Sequence, residues 1–240
     1  MLLNMQVTSL ILFSIAKLGG QSKLYKEILK RRLHTADKLN IGCGENFVEN
    51  WVNIGLIDLP KGLYFLSKTK NSAPYVHFDI TQEFPIRPNT IQFIYASHFI
   101  EHLNFPQALI FLKNCYTVTR SDGVIRLTFP DLELWNKKYM EDDLGFFTKY
   151  YDYTKHSNKL PELRTKGEIF MSQVHGWDHK WCYDFDSIKD ILERAGYSEV
   201  VRKKAFDSSL PDIEKLEPDN QQRLLETIYV EAKKSVNISD

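Results

Sequence analysis

The sequence predicts an α/β protein built on a mostly parallel β-sheet with helices on both faces. Short runs rich in β-branched and aromatic residues alternate with segments whose apolar residues recur at helical spacing, and this alternation is typical of that fold class. The 240 residues are 43% hydrophobic and 26% charged, which is the composition of a folded globular protein. A chain of this length favours one large domain with additions over two complete domains.

Seven strands and two clear helices are expected after residue 37. The strands are predicted at residues 38–41, 51–56, 75–78, 91–96, 124–129, 197–202 and 228–232. One helix is predicted at residues 106–118, where the apolar side chains fall on one face. The other covers residues 186–195, with Asp184 or Asp186 as its N-cap and Gly196 at its end.

The first 38 residues predict a helical arm that precedes a domain spanning residues 39–240. Residues 2–18 are apolar, but polar side chains interrupt them and the first positive charge follows the run instead of preceding it, unlike a signal peptide. The run is also shorter than the roughly 20 apolar residues of a membrane span. Helical spacing predicts an amphipathic helix that packs on the core, or contacts a sister subunit or a membrane surface peripherally.

Charge and cysteine content limit the function classes. The chain has 31 Lys and Arg against 31 Asp and Glu, so its net charge is zero and argues against nucleic acid as a partner. This total conceals a basic arm, because residues 1–39 hold seven Lys or Arg and only two Asp or Glu. The three cysteines lie far apart without a C-x-x-C pair, which argues against a disulfide framework and favours a reducing cytoplasm.

Chemistry is expected at the carboxyl ends of the strands, where parallel sheets bind their ligands. The first strand ends in Asn40-Ile41-Gly42-Cys43-Gly44, and two glycines around a small residue let the backbone turn tightly and approach a ligand. The third predicted strand runs into Asp79-Ile80, the fourth into Ser97-His98 and the fifth into Pro130-Asp131. Glycine also ends many strands only to make a turn, and Asp79 could be a turn residue.

Taken in order, these segments resemble the class I S-adenosylmethionine-dependent methyltransferases. The resemblance is carried by five features: the Gly-Cys-Gly loop, the Asp after the third strand, the segment Ser-His-Phe-Ile-Glu-His-Leu at 97–103, the turn at 120–123 and the Pro-Asp-Leu at 130–132. It implies a Rossmann-like fold with seven strands, S-adenosylmethionine as cofactor and a small-molecule or glycan acceptor.

The resemblance also implies which residues bind the cofactor. The Gly-Cys-Gly loop would contact its amino-acid portion and ribose, Asp79 its adenine amino group, and Ser97 its methionine portion. In this family the second strand usually ends in an acidic residue that holds the ribose, but Gly55 stands there, and Asp58 could replace it only if the strand end is shifted. The complete cofactor-binding set is Asn40, Gly42, Cys43, Gly44, Asp58, Asp79, Ile80 and Ser97.

Methyl transfer requires an aligned nucleophile and, in many cases, a group that removes its proton. Histidine suits this role because its ordinary pKa is near 6.5. The candidates for the general base are His98, His175 and His179, with Asp131 as a carboxylate alternative. Each of these histidines could instead be a surface or packing residue, and we expect no resident metal.

Two other functions remain open on the sequence alone. His98-Phe99-Ile100-Glu101-His102 matches the inverted zinc-protease motif, in which two histidines on one helical face bind Zn²⁺ and the glutamate activates water. A non-catalytic binding module that keeps the fold is conceivable because of Gly55. The aromatic-rich segment 131–184 is expected to face the substrate, or else to form the packed core of a helical cap.

Overall fold

In a computed structural model, the chain is described at residues 33–55, 67–68, 74–155, 162–217 and 219–235, together with Glu27 and Lys30. The predicted amphipathic helix of the N-terminal arm and Asp58 lie outside these residues. Over the ranges described, no helix has both the length and the apolar character needed to cross a membrane.

Eight strands form one mixed sheet in the described part of the chain. They are β1 (Lys38–Ile41), β2 (Val52–Gly55), β3 (Ser67–Lys68), β4 (Pro74–His77), β5 (Ile91–Ser97), β6 (Thr119–Pro130), β7 (Ser198–Lys203) and β8 (Thr227–Lys233). Seven of them are the predicted strands, so the predicted fold class is confirmed. The eighth, β3, is a two-residue edge strand, too short for a sequence pattern to reveal.

The order of the strands opens a crevice beside β1. Across the sheet the order is β3-β4-β2-β1-β5-β6-β8-β7. Strand β1 pairs in parallel with β2 on one side and with β5 on the other, while β8 runs antiparallel to β6 and β7. From β1 the chain first builds one half of the sheet through β2, β3 and β4, and then crosses to β5 to build the other half. The carboxyl ends of β1 and β5 therefore form the switch point at which such folds bind ligands.

Seven helices are found in the described residues. They are α1 (Phe105–Val118), α2 (Leu132–Met140), α3 (Leu144–Thr154), α4 (Lys166–His175), α5 (Phe185–Ala195), α6 (Ile213–Leu216) and α7 (Gln221–Glu226), with short 3-10 turns at Ile100–His102 and Gly176–Asp178. Helices α1 and α5 confirm the two predicted helices. As expected, Asp184 caps α5 and Gly196 ends it in the left-handed conformation at φ 112°.

The two faces of the sheet are covered differently. On one face, α1 and α5 bury apolar side chains such as Phe111 and Leu192 against the strands. On the other face, Tyr95 and Val124 pack against the segment 208–217, whose only helix is the single turn α6. Helices therefore lie on both faces, as predicted. On the second face, however, most of the segment 208–217 that covers Tyr95 and Val124 is a loop.

The connection from β1 to β2 has only ten residues, 42–51, and contains no helix. Parallel neighbours normally need a dozen or more residues. Here two buried amides stabilise the loop: Asn40 Nδ2 donates to Asn53 Oδ1 at 2.9 Å and to the Asn46 carbonyl oxygen at 2.9 Å. Asn53 in turn bonds both the amide and the carbonyl of Val48. The loop is thus held against the strands by side-chain hydrogen bonds.

The predicted turn at residues 120–123 is a wide bulge within β6. The register between β5 and β6 jumps from Ile91–Thr119 to Phe93–Val124, so four residues have no partner on β5. Asp122 adopts a positive φ of 65°, and Gly123 is needed because a Cβ there would lie 2.8 Å from the Arg120 carbonyl oxygen. The Asp-Gly pair therefore makes a sharp turn, as expected, without ending the strand.

The described residues of the segment 131–184 form a helical cap of α2, α3 and α4 beside the sheet. Its centre is Trp135, which is buried and makes edge contacts with Phe146 and Tyr150 at ring-centroid distances of 4.9 and 4.6 Å. Most of the aromatic side chains thus form a core of their own, which was the second of the two expectations for this segment.

Candidate active site

A cavity of about 320 Å³ opens at the carboxyl ends of β1, β5 and β6, and we call it the strand-end cavity. One wall is the loop at residues 42–46, the floor is formed by Ser97, His98 and Thr128, and the opposite wall comes from described residues between 206 and 229. The volume falls in the range of about 300–1,000 Å³ that is typical of small-molecule sites.

The two glycines of the loop have different tasks. Both have positive φ values, 64° at Gly42 and 51° at Gly44, which glycine adopts without strain. A Cβ on Gly42 would lie 2.5–2.8 Å from side-chain atoms of Phe99, so the loop and the segment after β5 can pack this closely only because Gly42 lacks a side chain. A Cβ on Gly44 would meet nothing within 4 Å. Gly44 therefore leaves open space over which a ligand can approach the backbone.

Asn40 and Cys43 line the same cavity but are mainly structural. The Asn40 side chain is 2% exposed and its amide is used to hold the loop. Burial raises the pKa of the Cys43 thiol to about 12, so it stays protonated and is not a nucleophile at neutral pH. The loop thus offers backbone and shape to a ligand, with little ionisable chemistry.

The floor of the strand-end cavity carries a short hydrogen-bond chain. The Thr128 hydroxyl donates to Ser97 Oγ at 2.9 Å, and Arg223 Nη1 donates to the same oxygen at 3.0 Å. Arg223 comes from α7, far along the chain, and its guanidinium keeps further donors for a ligand. A positive charge is therefore fixed at the end of β5.

His98 follows β5 in a strained conformation, at φ 46°. Its Nε2 lies 2.8 Å from Thr227 Oγ1 and its Nδ1 lies 3.3 Å from Glu101 Oε1. Burial lowers the pKa of His98 well below its ordinary value, and the neighbouring charges of Arg223 and His102 lower it further. The imidazole is thus neutral at physiological pH and able to accept a proton.

A buried ion network supports the wall opposite the loop. Arg126 on β6 donates to Glu217 from Nε at 2.6 Å and from Nη2 at 3.1 Å, and to Glu231 at 3.0 Å. It also donates to the carbonyl oxygens of Lys204 and Asp207. Arg126 therefore attaches the segment 204–217, which includes the cavity residue Glu217, to the sheet.

A second cavity, of about 340 Å³, adjoins the first and is called the histidine cavity here. It is lined by His102 and His179, by Tyr150 and Trp177 of the helical cap, and by Glu226 of α7. His98, Asn220 and Arg223 line both cavities. The two spaces therefore meet at His98.

Glu226 brings a carboxyl group with a raised pKa to the histidine cavity. Burial raises its pKa to about 8, against the partial opposing effect of Gln222, which donates to Oε1 at 3.0 Å. The other carboxyl oxygen, Oε2, is buried without a hydrogen-bond partner in this structure. A carboxyl group in this state can donate its proton in a hydrogen bond to a polar ligand.

The predicted site residues are only partly brought together. Asn40, Gly42, Cys43, Gly44, Ser97 and His98 line the strand-end cavity, and His179 lines the histidine cavity. Asp79 Oδ1 accepts from the Thr81 amide and hydroxyl in a turn, and Ile80 is 5% exposed in the core. Gly55 ends β2, and its carbonyl accepts from the Phe78 amide.

Two candidates for the general base occupy other positions. Asp131 caps α2, where its Oδ1 accepts from the amides of Glu133 and Leu134 at 3.0 and 3.3 Å. His175 is exposed at the end of α4, apart from the described residues that line either cavity. The helix cap gives Asp131 a structural task, since Asp is a favoured N-cap residue.

Arg223, Glu226 and Glu217 were missed by sequence reasoning. They lie in a polar stretch before the last strand, in which no motif marks them. The one available signal was position: α7 leads directly into β8, whose antiparallel course past β6 places the start of β8 at the carboxyl ends of the parallel strands.

Residues 39–127, which contain β1, β5 and the Gly-Cys-Gly loop, match the family model described as a methyltransferase domain. This part of the chain is therefore similar to a methyltransferase domain. The predicted assignment to the class I S-adenosylmethionine-dependent enzymes and the predicted cofactor, S-adenosylmethionine, are thereby confirmed. No curated protein matches the chain.

Several solved structures are similar to the methyltransferase domain and its surroundings at low sequence identity. A SAM-dependent methyltransferase from Archaeoglobus fulgidus is 15% identical, with 92% of this chain and 97% of that chain covered and a TM-score of 0.48. A Haemonchus contortus phosphoethanolamine N-methyltransferase is 13% identical, with 96% of this chain and 58% of that chain covered and a TM-score of 0.49. A Thermotoga maritima protein described as a possible histamine N-methyltransferase is 13% identical, with 97% of this chain and 96% of that chain covered and a TM-score of 0.48. Since these TM-scores are below 0.5, the assignment depends on the family match.

The structure does not favour the zinc-protease alternative. That motif requires both histidines on one face of an α-helix, but His98 has a positive φ and precedes a three-residue 3-10 turn that contains His102. The non-catalytic module likewise gains no support from the described residues.

Proposed function

We propose that the methyltransferase domain transfers a methyl group from S-adenosylmethionine, bound in the strand-end cavity, to an oxygen or nitrogen of a small-molecule or sugar-linked acceptor in the histidine cavity. The observation that carries this proposal is the position of His98. It lines both cavities, its side chain is only 13% exposed, and its surroundings lower its pKa so that the imidazole is neutral.

The strand-end cavity fits the cofactor. The open space at Gly44 lets the loop backbone lie along a ligand, and a side chain at this point would occupy that space. Arg223 presents a guanidinium at the floor, suited to the carboxylate of the methionine portion. The cofactor supplies an electrophilic methyl group on a sulfonium. The protein has only to place the acceptor atom in line with it and to exclude water.

His98 is proposed as the general base. Its low pKa keeps the imidazole unprotonated, so that it can take the proton of an acceptor hydroxyl or amine as the new bond to carbon forms. The Thr227 hydroxyl at 2.8 Å orients the ring. His179, across the histidine cavity, is the second candidate from the sequence that reaches this space.

The acceptor class follows from the lining of the histidine cavity. Trp177 offers aromatic surface, with the buried Tyr150 behind it, while Glu226 and Gln222 offer hydrogen-bonding groups beside it. Aromatic faces combined with polar groups suit sugars and planar polar molecules. This supports a polyhydroxylated or sugar-linked acceptor.

The test combines a binding and a turnover measurement. We expect S-adenosylhomocysteine to bind the full chain in calorimetry, and methyl-labelled S-adenosylmethionine to label one member of a panel of nucleotide sugars, amines and phenols. His98→Gln should keep binding of S-adenosylhomocysteine and lower the transfer rate by about 10²–10⁴-fold. His34→Ala, at an exposed histidine near the other end of β1, is the matched control. Absence of binding would refute the cofactor site, and an unchanged rate in His98→Gln would refute the base.

We also propose a cytoplasmic location, because Cys43, Cys115 and Cys182 are all unpaired in the structure, which suits a reducing compartment. A membrane or subunit contact by the N-terminal arm, residues 1–38, remains a proposal that vesicle flotation of the full chain would test.

A further inference from the structure

Glu101 is a buried carboxylate without a hydrogen-bond partner. The residue is 2% exposed, and neither carboxylate oxygen has a hydrogen bond in the structure. The neutral imidazole of His98 lies beside it, with Nδ1 3.3 Å from Oε1 but without hydrogen-bond geometry. Burying a carboxylate in this way is costly unless something else compensates the charge. The position therefore calls for a ligand.

Two histidines lie beside this carboxylate. One ligand atom each from Glu101, His102 and His179 falls within 4.8 Å of the others. The backbone fixes this arrangement, because the Glu101 carbonyl accepts from the amides of Lys180 and Trp181 at 2.8 and 3.2 Å. These bonds hold the segment after α4 against the turn that carries Glu101 and His102. Main-chain contacts thus hold together the two segments that carry the cluster.

The hydrogen bond of His179 selects the tautomer that binds a metal. Its Nδ1 lies 2.6 Å from the Gln173 carbonyl oxygen, which can only accept, so Nδ1 carries the proton. Nε2 then has a free lone pair. A histidine that donates its other ring N–H to a backbone carbonyl is the usual arrangement in metal sites, since it fixes the ring and raises its basicity.

We propose that Glu101, His102 and His179 bind a divalent cation of the zinc class, with its open side towards the histidine cavity. Two imidazoles with one carboxylate are a donor set for zinc and similar transition metals, whereas Mg²⁺ and Ca²⁺ prefer oxygen ligands. Bonds of about 2.0–2.2 Å would require the three ligand atoms, which lie within 4.8 Å of one another, to move closer together when the metal binds. His102 and His179 line the cavity while Glu101 lies behind them, so the free coordination position faces the space for a second ligand.

This site changes the expectation of no metal that the sequence supported. A cation here would coordinate a polar atom of a molecule in the histidine cavity, and that consequence rests on the proposed function. Binding of the metal itself does not rest on the proposed function. The metal site and the proposed methyl transfer can therefore fail separately.

The experiment is a metal titration of the full chain after removal of bound metal. We expect one equivalent of Zn²⁺ per chain to compete with a chromophoric chelator. Affinity should fall at least tenfold in His102→Ala, in His179→Ala and in Glu101→Gln, which keeps the shape of the buried side chain. His34→Ala is the matched control and should bind like the unmodified chain. Circular dichroism checks that each variant is folded.

A stoichiometry well below one, or equal affinities in the cluster variants and in His34→Ala, would overturn the proposal. Co²⁺ provides a second readout, since inner-sphere imidazole ligands give it visible absorption that should be lost in His179→Ala. Calorimetry with S-adenosylhomocysteine, performed without added metal, reports on the strand-end cavity alone. Zinc binding without cofactor binding would support the metal site while refuting the proposed function.

Discussion

The strand-end cavity and the histidine cavity adjoin at His98 but are built in different ways. The loop of the first, Gly42–Asn46, is one short segment directly after β1, and its shape comes from backbone conformation and two buried amides. The second is made of side chains from the turn at residues 100–102, the helical cap, the segment 177–179 and α7. A local segment can be recognised in a sequence, whereas a space between distant segments cannot.

The two cavities also differ in how their charges are satisfied. Beside the strand-end cavity, Arg126 forms ion pairs with both Glu217 and Glu231, so each charged group of this network has a partner. Around the histidine cavity, three oxygen atoms of Glu101 and Glu226 are buried without hydrogen-bond partners. The first region is therefore arranged for stability, and the second retains groups whose partners would come from a ligand.

The largest effect is expected from Arg126→Met. Removal of this guanidinium leaves Glu217 and Glu231 buried without their partner, which typically costs about 3–5 kcal/mol. The control is Arg202→Met, which breaks the exposed pair with Glu133 and should cost about 0–1 kcal/mol. The free energy of unfolding is measured by urea denaturation. Equal losses in the two variants would show that the network beside the strand-end cavity does not stabilise it.

The next effect separates the two glycines of the loop. Gly42→Ala and Gly44→Ala both place a Cβ at positive φ, which costs about 1–2 kcal/mol. Only at residue 42 does the Cβ also meet the side chain of Phe99, at 2.5 Å, and the overlap adds about 1–3 kcal/mol. Thermal unfolding should therefore show a larger loss in Gly42→Ala. An equal loss of stability in Gly44→Ala would contradict the open space that the structure shows around a Cβ at residue 44.

Sequence reasoning worked where local chemistry decides the structure. The strands follow from the alternation of apolar and polar residues, and the ends of α5 follow from Asp184 and Gly196. The glycine loop follows from the positive φ values that glycine adopts without strain. Each of these features depends only on residues that are neighbours in the sequence. Sequence reasoning did not reveal the helix cap at Asp131, because an aspartate after a strand can serve as a helix cap or as a catalytic group. It missed Arg223 and Glu226, since their positions depend on how β8 returns along β6.

A smaller effect tests the histidine cavity through its pH dependence. Burial raises the pKa of Glu226 from 4.5 to about 8. The folded chain then keeps this proton at pH values where the unfolded chain has lost it, so the unfolded state binds fewer protons and stability falls as pH rises from 4.5 through 8. Glu226→Gln cannot titrate and should lose less stability over that interval. Parallel pH profiles of the unfolding free energy in the two proteins would contradict the raised pKa.

The smallest effect decides between the two roles of Asp131. Its carboxylate accepts from the amides of Glu133 and Leu134, so Asp131→Ala should destabilise the protein by about 1 kcal/mol through loss of the α2 cap. Asn is an equally good cap but cannot act as a base at neutral pH. Asp131→Asn should therefore keep both stability and methyl transfer, measured with the acceptor that the panel reveals. A normal unfolding free energy together with a rate reduced about 10²-fold would make Asp131 the base instead of His98.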